Sequence, residues 1–135
     1  MKSIILEIGA GELFDRLAIL EIKARHAKTG LQQARIEGEL RRAREASEVA
    51  ELSGDEVAPL VSRLREINER LWEVEDQLRL CEANCDFGST FVELSRAVYR
   101  HNDLRATVKR QIDERLSPSF VQDKLYSAAG HAPIT

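Results

Sequence analysis

Apolar residues repeat along most of this chain at intervals of three and four, which is the period of an amphipathic helix. The clearest series alternates three and four without a slip, as a coiled-coil seam does, and predicts one straight helix over about 56–84. It consists of Val57, Leu60, Leu64, Ile67, Leu71, Val74, Leu78, Cys81 and Cys85. A later series predicts a helix over 90–116 and consists of Phe91, Leu94, Val98, Val108 and Ile112. We expect these two helices to lie side by side and antiparallel.

Short polar segments and glycines mark the predicted helix boundaries. Gly88 can end the 56–84 helix, and Thr90 and Glu93 have the capping-box spacing for the start of the next one. The segment ELSGDE at 51–56 predicts the turn before the 56–84 helix, and SPS at 117–119 ends the 90–116 helix. Residues 127–135 have the character of a flexible tail, which leaves a single domain over 1–126.

The first fifty residues carry two apolar seams that are offset by one step near Gly30. The seam before the offset is Leu13, Leu17, Leu20, Ala24, Ala27, Leu31 and Ala34, and the seam after it is Ile36, Leu40, Ala43, Ser47 and Ala50. A left-handed glycine commonly ends a helix, so Gly30 can separate two helices here. Because the first seam continues across Gly30, one unbroken helix stays open as the alternative. Residues 2–8, KSIILEI, suit a short strand, but the sequence offers that strand no partner.

The apolar segment GELFDRLAIL at 11–20 must be covered in either arrangement. If the chain reverses at Ser53 and Gly54, everything before Ile22 projects beyond the end of the 56–84 helix. The first helix therefore either breaks near Gly30 and folds back, which we favour, or buries this segment in a homodimer. The predicted fold is all-α: an antiparallel bundle of three long helices, the first broken near Gly30, with coiled-coil-like packing.

Composition supports a helical protein and argues against several functions. Charged residues make up 32% of the chain and aromatic residues 5%, which suits solvated helices better than sheets. A net charge of −3 lacks the basic excess of nucleic-acid-binding proteins. No apolar run approaches the ~20 residues of a membrane helix, and the start lacks the long apolar region of a signal peptide. We therefore expect a cytoplasmic protein without nucleic-acid or membrane partners.

The sequence contains no motif for a cofactor or a metal. A phosphate-binding loop, a dinucleotide fingerprint and a nucleophile elbow are all missing, so we expect no cofactor. Cys81 and Cys85 continue the apolar seam at helical spacing, and no second Cys or His pair completes a zinc site. We therefore interpret both cysteines as core residues in a reducing compartment, without a metal or a disulfide.

Polar residues form a second stripe beside the apolar seams. Its members are Asn68, Trp72, Glu75 and Arg79 on the 56–84 helix, Arg96, Tyr99, Asn102, Asp103 and Lys109 on the 90–116 helix, and Glu12, Asp15, Arg16 and Lys23 near the start. His101 and Arg105 stand where the apolar seam of the 90–116 helix would continue. A turn near Gly88 would bring Arg105 level with Leu71. This register predicts a cluster of Trp72, Glu75, His101, Asn102 and Arg105.

The cluster has two interpretations from different functional classes. In the first, it holds the helices in register within an interaction or accessory module that binds another protein. Arg105 is then partly buried and pairs with Glu75 first, or else with Asp76 or Asp15. A closed, mutually paired cluster favours this interpretation.

In the second interpretation the cluster is a binding or enzymatic site for a small anionic ligand. Arginine and lysine side chains would bind phosphate or carboxylate, and a carboxylate would handle a proton or a hydroxyl. The candidate cations are Arg79, Arg96, Arg105 and Lys109, and the candidate carboxylates are Glu75 and Asp103. An open pocket with unpaired cations favours this interpretation.

Four segments carry a resemblance to a family: GELFDRLAILEIK, INERLWEVEDQLR, FVELSRAVYRHNDLRATVKRQID and DKLY. Together they resemble a family of small bacterial all-helical proteins of unknown function, over about 11–126. The family pattern falls on Gly11, Glu12, Asp15, Arg16, Leu71, Trp72, Glu75, Asp76, Arg96, Val98, Tyr99, Asn102, Asp103, Arg105, Ala106, Lys109, Lys124 and Tyr126. Leu125 departs from the serine usual there. The resemblance implies a helical fold and no particular activity.

Overall fold

The computed structural model describes residues 2–52 and 54–121, and this part of the chain is all-α. It contains four α-helices and a short 3₁₀ helix: α1 Ala10–His26, α2 Gly30–Val49, α3 Gly54–Ala83, α4 Ser89–Leu116 and the 3₁₀ helix Pro118–Phe120. No strand occurs among the described residues. The predicted tail at 127–135 and the family positions Lys124 and Tyr126 lie outside them.

The prediction of an all-α fold is confirmed, but its count of three long helices is not, because the break expected near Gly30 divides the first of them into two. The chain leaves helical geometry at Ala27, where ψ is 133°, and α2 begins at Gly30. Thr29 is the N-cap of α2, and its hydroxyl accepts a hydrogen bond from Gln32 N at 3.1 Å. The first fifty residues therefore form two separate helices. Gly30 starts the second of them and does not end the first one as a left-handed glycine.

α3 and α4 form a hairpin whose turn lies slightly earlier than predicted. Cys85 has a left-handed φ of 53°, and Asp86 N donates to the Cys81 carbonyl at 2.8 Å, which closes the end of α3. Gly88 is the N-cap of α4, and no side chain caps this helix start, so the predicted capping box does not form.

Two apolar cores hold the helices together. The main core lies between α1, α3 and α4 and consists of Ala10, Phe14, Val57, Leu64, Ile67, Leu71, Val108 and Ile112. The second core joins α1 to α2 and consists of Leu13, Leu20, Leu40 and Ala43. The apolar segment 11–20 is thus buried within one chain, because α1 folds back over the bundle. Since this segment is covered within one chain, it gives no argument for a homodimer.

α1 lies in the centre of the described structure and contacts the other three α-helices, whereas α2 packs on α1 alone among them. The end of α1 reaches only the middle of α3. Arg25 pairs with Glu69 at 2.8 Å, and the His26 ring stacks on Trp72. The α3–α4 hairpin therefore extends beyond α1 from the level of Trp72 to its turn.

Candidate functional site

The start of α1 docks on the end of α4. No side chain of α1 caps its own amino terminus, and two side chains from α4 supply the caps instead. Gly11 N donates to Asp113 Oδ1 at 2.8 Å, and Ala10 N donates to Ser117 Oγ at 3.1 Å. These oxygens satisfy donors that a helix start leaves without a partner. A Cβ on Gly11 would overlap the Lys109 carbonyl oxygen, so this approach requires glycine.

One turn further along α1, two carboxylates meet two cations from α4. Lys109 Nζ lies 2.7 Å from Glu12 Oε2 and 3.5 Å from Asp15 Oδ2, and Arg105 Nε lies 3.8 Å from Asp15 Oδ1. Asn68 of α3 joins them, since its Nδ2 donates to Asp15 Oδ1 at 2.9 Å and its Oδ1 accepts from Arg105 Nη1 at 3.4 Å. We call these five residues the inter-helix network. It links α1, α3 and α4.

The inter-helix network is closed, in the sense that its charges pair with one another. The side chain of Asp15 is only 5% exposed, and that of Arg105 is 32% exposed. A buried carboxylate is tolerated when it is paired and hydrogen-bonded, as Asp15 is here. The prediction that Arg105 is partly buried and pairs with a carboxylate is therefore confirmed, with Asp15 as the partner.

The prediction that Arg105 pairs first with Glu75 is wrong. Glu75 lies nearer the hairpin turn and pairs with Arg79 of its own helix at 3.5 Å, where both side chains are exposed. The structure sets Arg105 level with Asn68 instead of Leu71. This difference of three residues moves Glu75 about one helical turn away from Arg105.

A pocket of about 370 Å³ opens beside the network, between α1, α3 and α4. Its lining is Ile19, Ile22, Asn68, Leu71, Trp72, Glu75, Asp76, Arg79, Asn102 and Arg105. Predicted site residues are thus brought together here, although the predicted Arg105–Glu75 pair does not form and Glu75 pairs with Arg79 instead. An apolar wall with a few convergent polar groups is the usual composition of a small-molecule site.

Trp72, which lines this pocket, carries a buried polar atom. Its Nε1 is buried and has no hydrogen-bond acceptor among the described residues. Buried polar groups in proteins nearly always bond to protein, water or ligand, so such an atom calls for an explanation. The indole ring stacks on His26 with centroids 4.8 Å apart and 27° between the ring planes. This contact fixes the indole against the end of α1.

Four predicted residues of α4 lie away from the pocket. Arg96 pairs with Glu93 at 2.8 Å on the exposed surface, and Tyr99 is exposed. Asp103 is half-buried outside the pocket lining. His101 Nδ1 lies 2.7 Å from a carbonyl oxygen of its own helix, so its seam position is explained by a local bond. The structure does not bring these four side chains to the pocket, so His101 does not join the predicted cluster.

Two residues of the site escaped the sequence analysis. Asp113 follows Arg105 and Lys109 at intervals of four, so all three lie on one face of α4, and this spacing is a signal that could have revealed it. Asn68 belongs to a visible polar stripe, but nothing in its spacing distinguishes a hub from a surface amide.

Burial raises the pKa of the Asp113 carboxyl above its ordinary value of 3.8, against the lowering effects of the Gly11 N–H and of Lys109. At pH values just above 3.8, this carboxyl is therefore protonated more often in the folded state than in the unfolded state. The resulting stabilisation is fully present below that range and is lost as pH rises through the folded pKa. Ionisation of Asp113 therefore lowers the stability of the folded protein, because the Gly11 N–H and Lys109 offset only part of the free energy of burying the charge.

No helix among residues 2–52 and 54–121 is long and apolar enough to cross a membrane. The same residues contain no group of three or more His, Cys, Asp or Glu side chains that could hold a metal ion.

Comparison with known proteins gives a family and no activity. Residues 4–134 match DUF6165, a family of unknown function, and the chain belongs to that family. The match includes most of the segment before α1 as well as the helices. No curated protein and no solved structure matches the chain. The function must therefore be argued from the site itself.

Proposed function

We propose that the protein is a helical binding module whose pocket between α1, α3 and α4 takes a small anionic ligand. The observation that carries this proposal is Trp72 Nε1, a buried donor of a pocket-lining residue with no acceptor among the described residues. A carboxylate or phosphate oxygen would supply that acceptor when ligand entry turns the indole so that Nε1 faces the pocket. Arg79 and Arg105 line the same pocket. Each already pairs with one carboxylate, Glu75 and Asp15, and a guanidinium has further N–H groups that can donate to an anionic oxygen.

The rest of the lining limits the ligand further. Ile19, Ile22 and Leu71 offer an apolar wall that suits a hydrocarbon or ring face. Glu75 and Asp76 can accept hydrogen bonds from hydroxyl or amino groups. The ligand class is therefore a small molecule with one anionic group, an apolar face and at least one hydroxyl or amine.

We infer binding rather than catalysis. Catalytic acids and bases usually lie in environments that perturb their proton affinity, away from bulk water. The two pocket carboxylates, Glu75 and Asp76, are both exposed. The lining contains no hydroxyl or thiol side chain that could act as a nucleophile.

The inter-helix network serves this module as its scaffold. It joins α1 to the α3–α4 hairpin, whose coiled-coil-like packing keeps the pocket residues in register. The protein would then act as an accessory protein in a bacterial cytoplasm, possessing no chemistry of its own. Cys81 and Cys85 are free thiols, which suits a reducing compartment.

Fluorescence tests the pocket directly, because Trp72 is the one tryptophan of the chain. Titration with leucine, 3-hydroxybutyrate and 3-hydroxyoctanoate, which each join one carboxylate and an apolar chain to an amine or a hydroxyl, should change the emission in a saturable way for at least one of them. Trp72→Phe keeps an aromatic ring but removes the N–H donor. It should weaken binding of the same compound, measured by calorimetry, about 10-fold, as expected for one lost hydrogen bond to a charged group.

Arg79 and Arg70 form a matched pair of variants. Both are exposed arginines of α3 that pair with a glutamate of the same helix, but only Arg79 lines the pocket. Arg79→Ala should weaken binding, and Arg70→Ala should not. Equal effects of the two substitutions, or no saturable response to any of the three compounds, would overturn the proposal.

A further inference from the structure

The segment before α1 exposes more apolar side chain than any packed part of the chain. We call residues 3–8 the arm. Ile4 is 95% exposed, Ile5 is 96% exposed, and Leu6 and Ile8 are exposed as well. Monomeric proteins rarely leave a contiguous apolar segment in water. Because the family match begins at residue 4, the arm belongs to the family domain and is not an addition to it.

The arm has the alternation of an extended segment that is half-buried. In an extended chain, residues two apart share a face, so Ile4, Leu6 and Ile8 form one wholly apolar face. Ile5 lies on the other face, beside the polar Ser3 and Glu7. No backbone group of the arm bonds to another described residue. Both its apolar face and its backbone therefore lack a partner within the described chain.

A second uncovered apolar region lies at the opposite end of the molecule. A groove of about 370 Å³ runs between α3 and α4 where the hairpin extends beyond α1. Leu78, Phe91 and Val98 are its apolar lining, with Ser95 among them, and the charged side chains Glu75, Arg79 and Glu82 line its α3 side. We call it the hairpin groove. Phe87, which is exposed and packs edge-on against the Phe91 ring, continues this region toward the turn.

The arm cannot reach the hairpin groove of its own chain. Gly9, which joins the arm to α1, lies against Asp113 near the end of α4. Ser95 of the groove is 18 positions earlier on α4, which is about 27 Å along the helix. Ile4 is five residues from Gly9 and reaches at most about 17 Å, while Leu6 and Ile8 reach less far.

We propose that two copies of the chain associate antiparallel, each laying Ile4, Leu6 and Ile8 of its arm in the hairpin groove of the other. In an antiparallel pair, the arm of each copy lies beside the hairpin groove of the other, so two equivalent contacts form. The contact is reciprocal and closes as a two-fold dimer, without further growth. From Ile4 to Ile8 the arm is about 13 Å long, close to the ~10 Å that the groove spans along α3 from Glu75 to Glu82.

Sedimentation equilibrium of the wild-type chain tests the association. It should give the mass of two 15.3 kDa chains, falling to one on dilution. Ile4→Asp should shift the chain to the monomer mass, because Ile4 lies on the docking face. Ile5→Asp is the matched control: it introduces the same charge at an equally exposed site on the opposite face, and should leave the dimer intact. A wild type that stays monomeric, or an equal effect of both substitutions, overturns the proposal.

A mixing experiment distinguishes arm-to-groove docking from pairing of two arms. Ser95→Glu places a bulky charge in the groove and should also give monomers, whereas Ser95→Ala should not. In a mixed pair, the Ser95→Glu chain supplies an intact arm and the Ile4→Asp chain supplies an intact groove, so one of the two contacts can form. Heterodimers should therefore form in the mixture although neither variant dimerises alone. Failure to form them overturns the proposed contact, and circular dichroism of each variant verifies its fold. Neither Ile4 nor Ser95 lines the ligand pocket, although the groove shares Glu75 and Arg79 with it. Fluorescence titration of the Ile4→Asp variant therefore tests ligand binding separately from association.

Discussion

Lys109 is the residue whose replacement tests the inter-helix network most directly. Its ammonium group lies 2.7 Å from the Glu12 carboxylate and 3.5 Å from the Asp15 carboxylate, and its side chain is only 18% exposed. Lys109→Met keeps most of the aliphatic stem and removes the charge. Both carboxylates then lose the cation that faces them.

The two losses differ in size because the two carboxylates differ in burial. Glu12 is 37% exposed and can turn toward water, so its lost pair costs at most about 1 kcal/mol. Asp15 is 5% exposed and stays in place. Removing one partner of a buried ion pair typically costs about 3–5 kcal/mol. Because Asn68 and Arg105 still contact Asp15, we expect the lower part of that range, about 3 kcal/mol.

Urea unfolding followed by far-ultraviolet circular dichroism measures this loss. The control is Arg110→Met, which removes a neighbouring cation that pairs with Glu114 on the exposed surface and should cost at most about 1 kcal/mol. Adding Asp15→Asn to Lys109→Met removes the orphaned charge and should recover at least about 2 kcal/mol. Comparable losses for Lys109→Met and Arg110→Met, or no recovery in the double variant, would refute a buried ionic network.

The remaining predictions concern the docking of α1 on α4. Gly11→Ala should destabilise the protein by about 1–3 kcal/mol, because the new Cβ meets the backbone of α4; Gly38→Ala, which meets only ordinary contacts in α2, should be neutral or stabilising in the same urea assay. The stability of the wild type relative to Asp113→Asn should improve as pH falls from neutral toward about 4, because a raised pKa adds stability on protonation. Urea midpoints of both proteins across this range check the sign, and a change in the opposite direction would contradict the raised pKa.

The helices could be predicted because their seams are regular. The series from Val57 to Cys81 identifies α3, and buried Val108 and Ile112 lie where the seam of α4 requires. The break before α2 could be predicted only as the favoured alternative, because the two seams are offset near Gly30 but the first continues to Ala34. These features depend on local periodicity and capping, which a single sequence contains.

The register of the hairpin could not be predicted to the same accuracy. A turn near Gly88 sets Arg105 level with Leu71, whereas the observed turn, with left-handed Cys85, sets it level with Asn68. In an antiparallel hairpin, moving the centre of the turn by one residue changes the pairing of the two helices by two residues. An error of about one and a half residues in the turn therefore changes the partner of Arg105 by three positions. Three residues correspond to about 4.5 Å, nearly one helical turn. That distance separates a correct partner from a wrong one, which is why Glu75 was predicted instead of Asp15.

The position of α1 depends on how all four helices pack. The partners of Glu12 and Asp15 on α3 and α4 depend on the same packing. Glu12 and Asp15 could be recognised as polar residues beside an apolar seam, but their partners depend on how the chain reverses between α1 and α2. The docking of α1 in turn depends on Gly11 and on the caps from Asp113 and Ser117. No sequence spacing links these residues, because they lie about a hundred positions apart.

The residues that carry the family resemblance separate into two groups in space. Gly11, Glu12, Asp15 and Lys109 fix α1 on α4, and their charges pair within the inter-helix network. Trp72, Glu75, Asp76 and Asn102 line the pocket. Glu12, Asp15 and Lys109 do not line the pocket, whereas Trp72 lines it and its Nε1 has no acceptor among the described residues. Arg105 belongs to both groups, since it bonds to Asn68 and also lines the pocket. The scaffold and the proposed binding site therefore meet at this side chain, which couples the position of α1 to the shape of the pocket.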